Sequence, residues 1–311
     1  MQESLFYNTL VGFQYKKWTL SESIAYFIKG AARELNIMPV FLGKNYFKIV
    51  FRNWRRKWLV QDESGTYFNI KGAKLPDISN NEDIFKFLIF DCFEDVFLIF
   101  AYYGDNYDRA TVEKLDKFLE EGTYGYTDGK FDVTVKSGDV VIDAGAWIGD
   151  FAAYAVSKGA IVYAFEPVET SFNLLCESER LNGKNFHSIK KGLSNKEGET
   201  SISLEKSGVG DSIVLDRGNR KETISITTID KFVEDNKLSR VDFIKADIEG
   251  AERYMLQGAT NVLKTFAPKL AICTYHLPDD PEVLERIIKE ANPEYTVVHL
   301  RKKLFAAVIK N

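Results

Sequence analysis

A chain of 311 residues, 45% hydrophobic and 28% charged, is long enough for a large core and two domains, which excludes a disordered, collagenous or disulfide-stapled protein. Its net charge of −4 carries no chain-wide sign of nucleic-acid binding, although a local basic patch is compatible with it. Three scattered cysteines, Cys92, Cys176 and Cys273, lack metal-ligand spacing and fit buried thiols in a reducing cytoplasm.

Residues 1–13 lack the basic start and sustained apolar run of a secretory signal. Leu20 to Leu35 alternate near helical period, with Thr19 or Ser21 available as N-cap. Tyr46 to Val60 and Tyr67 to Ile70, rich in aromatic and branched residues, predict strands joined around Asp62-Glu63-Ser64-Gly65. Within the first run Arg52, Arg55, Arg56 and Lys57 interleave with Trp54 and Trp58. Such a cluster can grip a phosphate, a sugar or an exposed base; a solvated strand face over two core tryptophans is the simpler reading. The most apolar stretch, Ile84 to Tyr103, is interrupted by Asp91, Glu94 and Asp95, so it predicts buried structure and no membrane span. Residues 104–108 read as a turn, 109–120 as a helix and 121–125 as a loop, which divides the chain into 1–120 and 121–311.

The second part alternates strands (139–143, 161–166, 186–190, 241–246, 269–275, 294–299, 304–309) with helices (149–158, 168–182, 228–236, 251–257, 280–291). This alternation predicts an α/β fold with a mainly parallel sheet. The last two strands, joined around Arg301-Lys302-Lys303, should form an antiparallel hairpin. Ligands of such sheets collect at strand carboxyl ends, where Asp143, Glu166, Asp247 and His276 fall.

Residues 139–150 narrow the ligand. The buried strand Val140-Val141-Ile142 ends in Asp143, and Gly145 and Gly149 bracket a turn through Ala146 and Trp147 into an apolar helix. Glycines let a ligand approach the backbone, and the helix start offers N–H groups. The spacing is not the G-x-G-x-x-G of a dinucleotide site, and the preceding carboxylate suits a ligand ammonium better than a pyrophosphate. The next strand ends in Glu166-Pro167, an acid placed to accept both ribose hydroxyls. A ribose at one end and an amino acid at the other describe S-adenosylmethionine.

Residues 222–252 carry Thr228-Ile229-Asp230 and Lys245-Ala246-Asp247-Ile248-Glu249-Gly250-Ala251-Glu252. With Phe165-Glu166-Pro167 and Tyr275-His276, they resemble the FkbM family of S-adenosylmethionine-dependent methyltransferases over residues 121–311. Trp147 and Ala246 depart from the commoner family pattern. The resemblance implies a Rossmann-like class I methyltransferase sheet, preceded by an N-terminal α+β domain at 1–120 for substrate recognition or dimerisation. It also implies O-methylation of a sugar, glycan or small-metabolite hydroxyl. The cofactor residues would be Asp143, Gly145, Ala146, Trp147, Gly149, Glu166 and Asp247.

Hydroxyl methylation calls for a base. His276 is the first choice, because a neutral imidazole titrates near working pH. Glu249 is the alternative base, or it orients His276, or it caps the following helix. Asp247 lies beside them. A divalent metal held by Asp247, Glu249 and His276 is compatible with the spacing but not required by it. No base-methylating Asn/Asp-Pro-Pro-aromatic segment follows the fourth strand, so a nucleic-acid partner is disfavoured. An RNA methyltransferase using the Arg52–Trp58 cluster and a silent cofactor-binding module are the alternatives, and a homodimer is compatible with the extra domain.

Overall fold

The computed structural model describes residues 59–70, 72–78, 124–204, 211–215, 220–300 and 302–309. The helices expected at 20–35 and 109–120, the strand run before residue 59, the Arg52–Trp58 cluster, Ile84 to Tyr103 and Cys92 lie outside these residues. The chain divides into two units, Met1–Val60 with Leu88–Thr123, and Gln61–Phe87 with Tyr124–Asn311.

The described residues begin with β1 (Leu59–Asp62), β2 (Gly65–Ile70) and β3 (Ala73–Pro76), which form one small sheet. Its first turn falls where the polar run 62–65 predicts it. Asp62 accepts bonds there from Ser64 N at 2.8 Å and the Tyr67 hydroxyl at 2.7 Å. Two more short strands, β4 (Tyr126–Thr127) and β5 (Asp132–Val133), pair as a hairpin.

The main sheet is assembled from β6 (Val140–Ala144), β7 (Ile161–Phe165), β8 (Phe186–Ile189), β12 (Phe243–Ala246), β13 (Lys269–Cys273), β14 (Tyr295–Leu300) and β15 (Lys303–Val308). Their order is β14-β15-β13-β12-β6-β7-β8, with β15 antiparallel to both its neighbours and the other described pairings parallel. The parallel sheet closed by a terminal hairpin is therefore as the alternation predicts. The reversal between β6 and its neighbours β12 and β7 opens a crevice at the strand carboxyl ends.

The helices are α1 (Asp150–Ser157), α2 (Glu169–Asn182), α3 (Ile229–Asp235), α4 (Glu252–Gln257), α5 (Thr260–Thr265) and α6 (Asp280–Ala291). Strand period two sorts the sheet's faces. Ile142, Ala144, Ile244 and Ala246 join Ile229, Met255, Leu263 and Leu284 of α3–α6 in one buried cluster. Val141, Asp143, Phe243 and Lys245 have the opposite parity; there Phe151 of α1 meets the Phe243 ring at 5.9 Å. On α2, Asn182 clamps the β3 backbone, donating to Lys74 O at 2.6 Å and accepting from Lys74 N at 3.1 Å.

Two sheets were not among the expected strands, the short β4–β5 hairpin and a larger one. β10 (Gly198–Leu204) and β11 (Arg220–Thr227) form an antiparallel hairpin, and β11 also pairs with β9 (Gly192–Leu193). Ile224 and Ile226 face inward against Val168 and Ile202, while Ser225 between them is exposed.

The Thr228-Ile229-Asp230 segment has a structural explanation. Thr228 is the N-cap of α3, its hydroxyl accepting from Lys231 N at 3.0 Å. Asp230 accepts from Asn261 N and Val262 N, both at 2.9 Å, and so satisfies two open amides at the start of α5. Asp230→Ala should lower unfolding free energy by about 1–2 kcal/mol in a urea titration, while cofactor affinity stays unchanged.

Candidate active site

The glycine turn is built by close packing. Gly145, at φ +73°, and Ala146 both donate to Phe165 O, at 3.1 and 2.9 Å. A Cβ on Gly145 would lie 2.1 Å from the Asp247 carbonyl oxygen, so only glycine fits where β6 passes the end of β12. A Cβ on Gly149 would meet Phe186 and Leu175 side chains at 2.8 and 2.9 Å, which ties the start of α1 to α2 and β8. Ala146 is buried in the turn. Trp147 adopts φ +49°, unusual for a residue with a side chain, and donates its N–H to Glu166 at 3.1 Å.

Glu166 also accepts from Val168 N at 2.9 Å. Burial pushes its carboxyl up to about 8, although both amide bonds favour the charged form.

Asp143 is fully buried, directly opposite Lys245 in the β6–β12 register, with the Lys245 ammonium 3.0 Å from its Oδ1. Lys245 also donates to Gly145 O at 2.7 Å. An ammonium of the protein itself thus stands beside Asp143. Burial pushes the Asp143 carboxyl up against the pull of Lys245. Burial alone would lower the Lys245 ammonium, yet the carboxylates of Asp143, Asp247 and Asp150 raise it. Asp150, the first residue of α1, is itself pushed up to about 6 by burial.

A second constellation lies where β12 and β13 end. Asp247 accepts from the Tyr124 hydroxyl at 2.9 Å and from the Tyr275 hydroxyl at 3.2 Å. His276 has a fully buried side chain; its Nε2 lies 3.3 Å from Asp247 Oδ1 and 3.5 Å from Glu249 Oε2. On the other side of the ring, Nδ1 lies 3.0 Å from Oε1 of the buried Glu252. Burial alone would lower the imidazole pKa; the three surrounding carboxylates outweigh it and raise the pKa to about 12. The ring is therefore not the neutral, near-neutral-pKa imidazole that its residue type suggests. Asp247 responds in reverse: burial would raise its carboxyl, but His276, Lys245 and Lys303 hold it well below the usual carboxylate range.

α4 starts at Glu252 with no side-chain cap, so the capping role considered for Glu249 is not seen; Glu252 instead ties down the loop before it. It accepts from Ile248 N at 2.8 Å and Gly250 N at 2.9 Å. Glu249 sits at φ +55°, and its carbonyl accepts the Ser212 hydroxyl at 2.6 Å, which brings residues 211–215 over this loop. Tyr275 is 45% exposed beside His276, with ring centroids 4.1 Å apart.

The structure thus brings Asp143, Gly145, Asp247, Glu249 and His276 together at the carboxyl ends of β6, β12 and β13, with Glu166 joined to the same turn through Trp147. Lys245, Glu252, Tyr124 and Tyr275 are the additional residues that hold them. A lysine inside the apolar strand Phe243–Ala246 was a readable signal of a buried partner; Tyr124 carried none. Of the cysteines, Cys273 is buried and Cys176 partly so, and both are free thiols. Among the described residues, no helix is long and apolar enough to cross a membrane.

The profile described as Methyltransferase FkbM domain matches residues 143–302. The hexuronic acid methyltransferase AglP of Haloferax volcanii is 30% identical over 167 residues, which cover 53% of this chain and 67% of that protein. Among solved structures, methyltransferase FkbM from Methylobacillus flagellatus KT is 24% identical with a TM-score of 0.42, over 55% of this chain and 43% of that one. The match therefore spans less than half of that protein. Aeropyrum pernix fibrillarin, solved with natively bound S-adenosyl-L-methionine, is 17% identical with a TM-score of 0.37, over 63% of this chain and 74% of that one.

The buried Asp143–Lys245 pair gives a stability test. Lys245→Met should cost about 3–5 kcal/mol at pH 8, because it leaves a buried carboxylate without its countercharge. The cost should shrink at pH 5, where the orphaned carboxyl takes up a proton: a raised acid pKa in the folded state loses stability as pH rises. Adding Asp143→Asn should remove this pH dependence, as read from urea unfolding at both pH values.

Proposed function

Because the chain belongs to the FkbM methyltransferase family, we propose that it transfers the methyl group of S-adenosylmethionine to a hydroxyl of a sugar, a glycan or a small metabolite. The observation that carries this reading is the contact between the two halves of the site. The glycine turn that would hold the cofactor packs against the Asp247 backbone, and the Asp247 side chain opens the cluster that would receive the acceptor.

In this reading Glu166 accepts the ribose hydroxyls, the Gly145–Gly149 turn lies against the nucleoside, and Asp247 faces the methionine half. The acceptor oxygen attacks the methyl carbon in line with the C–S bond. That bond breaks with its electron pair staying on sulfur, which becomes the thioether of S-adenosylhomocysteine. The hydroxyl proton leaves toward the carboxylates of Asp247 and Glu249, since the His276 ring already carries its proton. Alignment supplies much of the rate, since the methyl group is already activated by its sulfonium.

The sugar assignment draws on the named substrate of the Haloferax relative and on the exposed Tyr275 ring at the mouth of the cluster. We assign residues 1–120 to acceptor recognition or dimerisation and place nucleic acid outside the substrate range. Incubation with radiolabelled S-adenosylmethionine and a panel of hexuronic acid glycosides should label at least one of them. Label incorporated instead into RNA would reverse the acceptor assignment.

The Glu166 role has its own test, with 5′-methylthioadenosine as a probe that keeps the ribose and lacks the amino acid. Ribose hydroxyls donate to the ionised carboxylate, so affinity should rise between pH 6 and pH 8 by up to about tenfold per unit. The nearby charges of Asp211 and Lys245 act in opposite directions on this carboxyl. Glu166→Gln should bind weakly with a flat profile; a profile unchanged from wild type in calorimetry would remove Glu166 from the ribose.

A further inference from the structure

We propose that Asp247, Glu249 and His276 form a binding site for a single divalent cation, of which Mn²⁺ is the best match, beside the path of the methyl acceptor. The geometry carries it. His276 Nε2 lies 3.3 Å from Asp247 Oδ1 and 3.5 Å from Glu249 Oε2. One ligand atom from each residue falls within 4.8 Å of the others. Two ligands about 2.1 Å from an octahedral ion and at right angles to each other are themselves about 3 Å apart. Both carboxylates therefore lie at nearly the distance from the imidazole nitrogen that adjacent coordination positions would have.

The imidazole is the independent observation. Its side chain is fully buried, yet neither ring nitrogen makes a well-aligned hydrogen bond. A buried polar ring in that condition requires a partner. Nδ1 faces Glu252 Oε1 at 3.0 Å, so an ion entering between Asp247 and Glu249 would displace only the Nε2 proton and take that lone pair, while the Nδ1 proton stays on the Glu252 side. A carboxylate behind a histidine that faces two more carboxylates is the usual support of a metal-bound imidazole. The other ligands are held as well. Tyr124 and Tyr275 hold the Asp247 carboxylate, and Ser212 holds the Glu249 backbone.

A neighbouring set, Glu252, His276 and Asp280, is close enough to be weighed but is already occupied. Asp280 binds Arg253 at 2.7 Å and Leu277 N at 2.8 Å, and Glu252 accepts two backbone amides. Those carboxylates support structure, so the cation belongs on the Nε2 side. Two carboxylates and one imidazole suit Mn²⁺ better than Mg²⁺, which prefers oxygen and water, or Zn²⁺, which prefers more nitrogen or sulfur. Its open positions would take the acceptor hydroxyl and an adjacent sugar oxygen, lowering the hydroxyl pKa and orienting the oxygen toward the methyl group. That use of the ion rests on the methyltransferase reading; its binding does not.

The test needs no acceptor. Chelator-treated full-length protein is titrated with Mn²⁺ and followed by calorimetry and by loss of the free-ion paramagnetic resonance signal. S-adenosylhomocysteine binding is measured on the same samples as a check of the cofactor site. One Mn²⁺ per chain is expected, with affinity reduced at least about 100-fold in Glu249→Gln and in His276→Ala. Glu249→Gln, at the more accessible residue, decides the matter if His276→Ala does not fold. Absence of saturable Mn²⁺ binding, or equal affinity in wild type and Glu249→Gln, overturns the site. Cofactor binding without Mn²⁺ binding would sink the cation alone, and Mn²⁺ binding without cofactor binding would sink the methyltransferase reading alone.

Discussion

A lysine buried between two parallel strands organises this crevice. Lys245 faces Asp143 across the β6–β12 register and also donates to the Gly145 carbonyl. It therefore joins the strand that begins the glycine turn to the strand that ends in the acidic cluster. Pairs of this kind add little net stability once their desolvation is counted, but breaking one is costly. That asymmetry makes it a device for register. A slip of one residue between β6 and β12 would turn Asp143 or Lys245 into the apolar cluster on the opposite face. Correct register in turn puts Asp247 O where only a glycine at 145 can pass. The Gly145–Gly149 turn and the Asp247–His276 cluster are consequently fixed relative to each other by backbone packing.

The main sheet was legible because its signals are local and repeated. Most of its strands are short apolar runs, β6, β7, β12 and β13 are each followed by a helix-period segment, and the final pair has too little chain between its members for a crossover. The β10–β11 hairpin was harder to read. Its strands are largely polar, with Ile202, Ile224 and Ile226 buried and Leu204 partly buried against them, so the apolar-run criterion passes over them. The alternation Ile224-Ser225-Ile226 was nonetheless present. α5 was hidden differently, because its six residues owe their start to Asp230 from thirty-odd residues upstream. No window along the sequence contains both ends of that interaction.

The site shows the same division between residue type and environment. Asp143, Glu166, Asp247 and His276 could be placed at strand ends from pattern alone. What surrounds them could not. An aspartate after a buried strand gives no hint of the lysine that faces it across the register. The residue type of His276 suggests a titration near neutrality. Glu252 changes this from the far side of the ring, and Asp247 and Glu249 from the near side. Tyr124 lies far from Asp247 in sequence and reaches it only through the fold, so no motif could announce it.

Charge explains why these parts occur together. Methyl transfer consumes a positive charge: the sulfonium becomes a neutral thioether as the acceptor loses its proton. A site rich in carboxylates favours the sulfonium form of the cofactor but resists forming an alkoxide, which adds one more negative charge to a crowded anionic pocket. The structure separates the two demands in space. Asp143 and Lys245 neutralise each other beneath the turn, so the cofactor side gains little excess field. The excess negative charge instead lies around His276, where three carboxylates face a single ring. A cation bound by Asp247, Glu249 and His276 would offset the carboxylates and stabilise the developing oxyanion at the same point. The imidazole, held from behind by Glu252, then acts as a fixed ligand whose orientation sets where the acceptor oxygen sits relative to the methyl carbon.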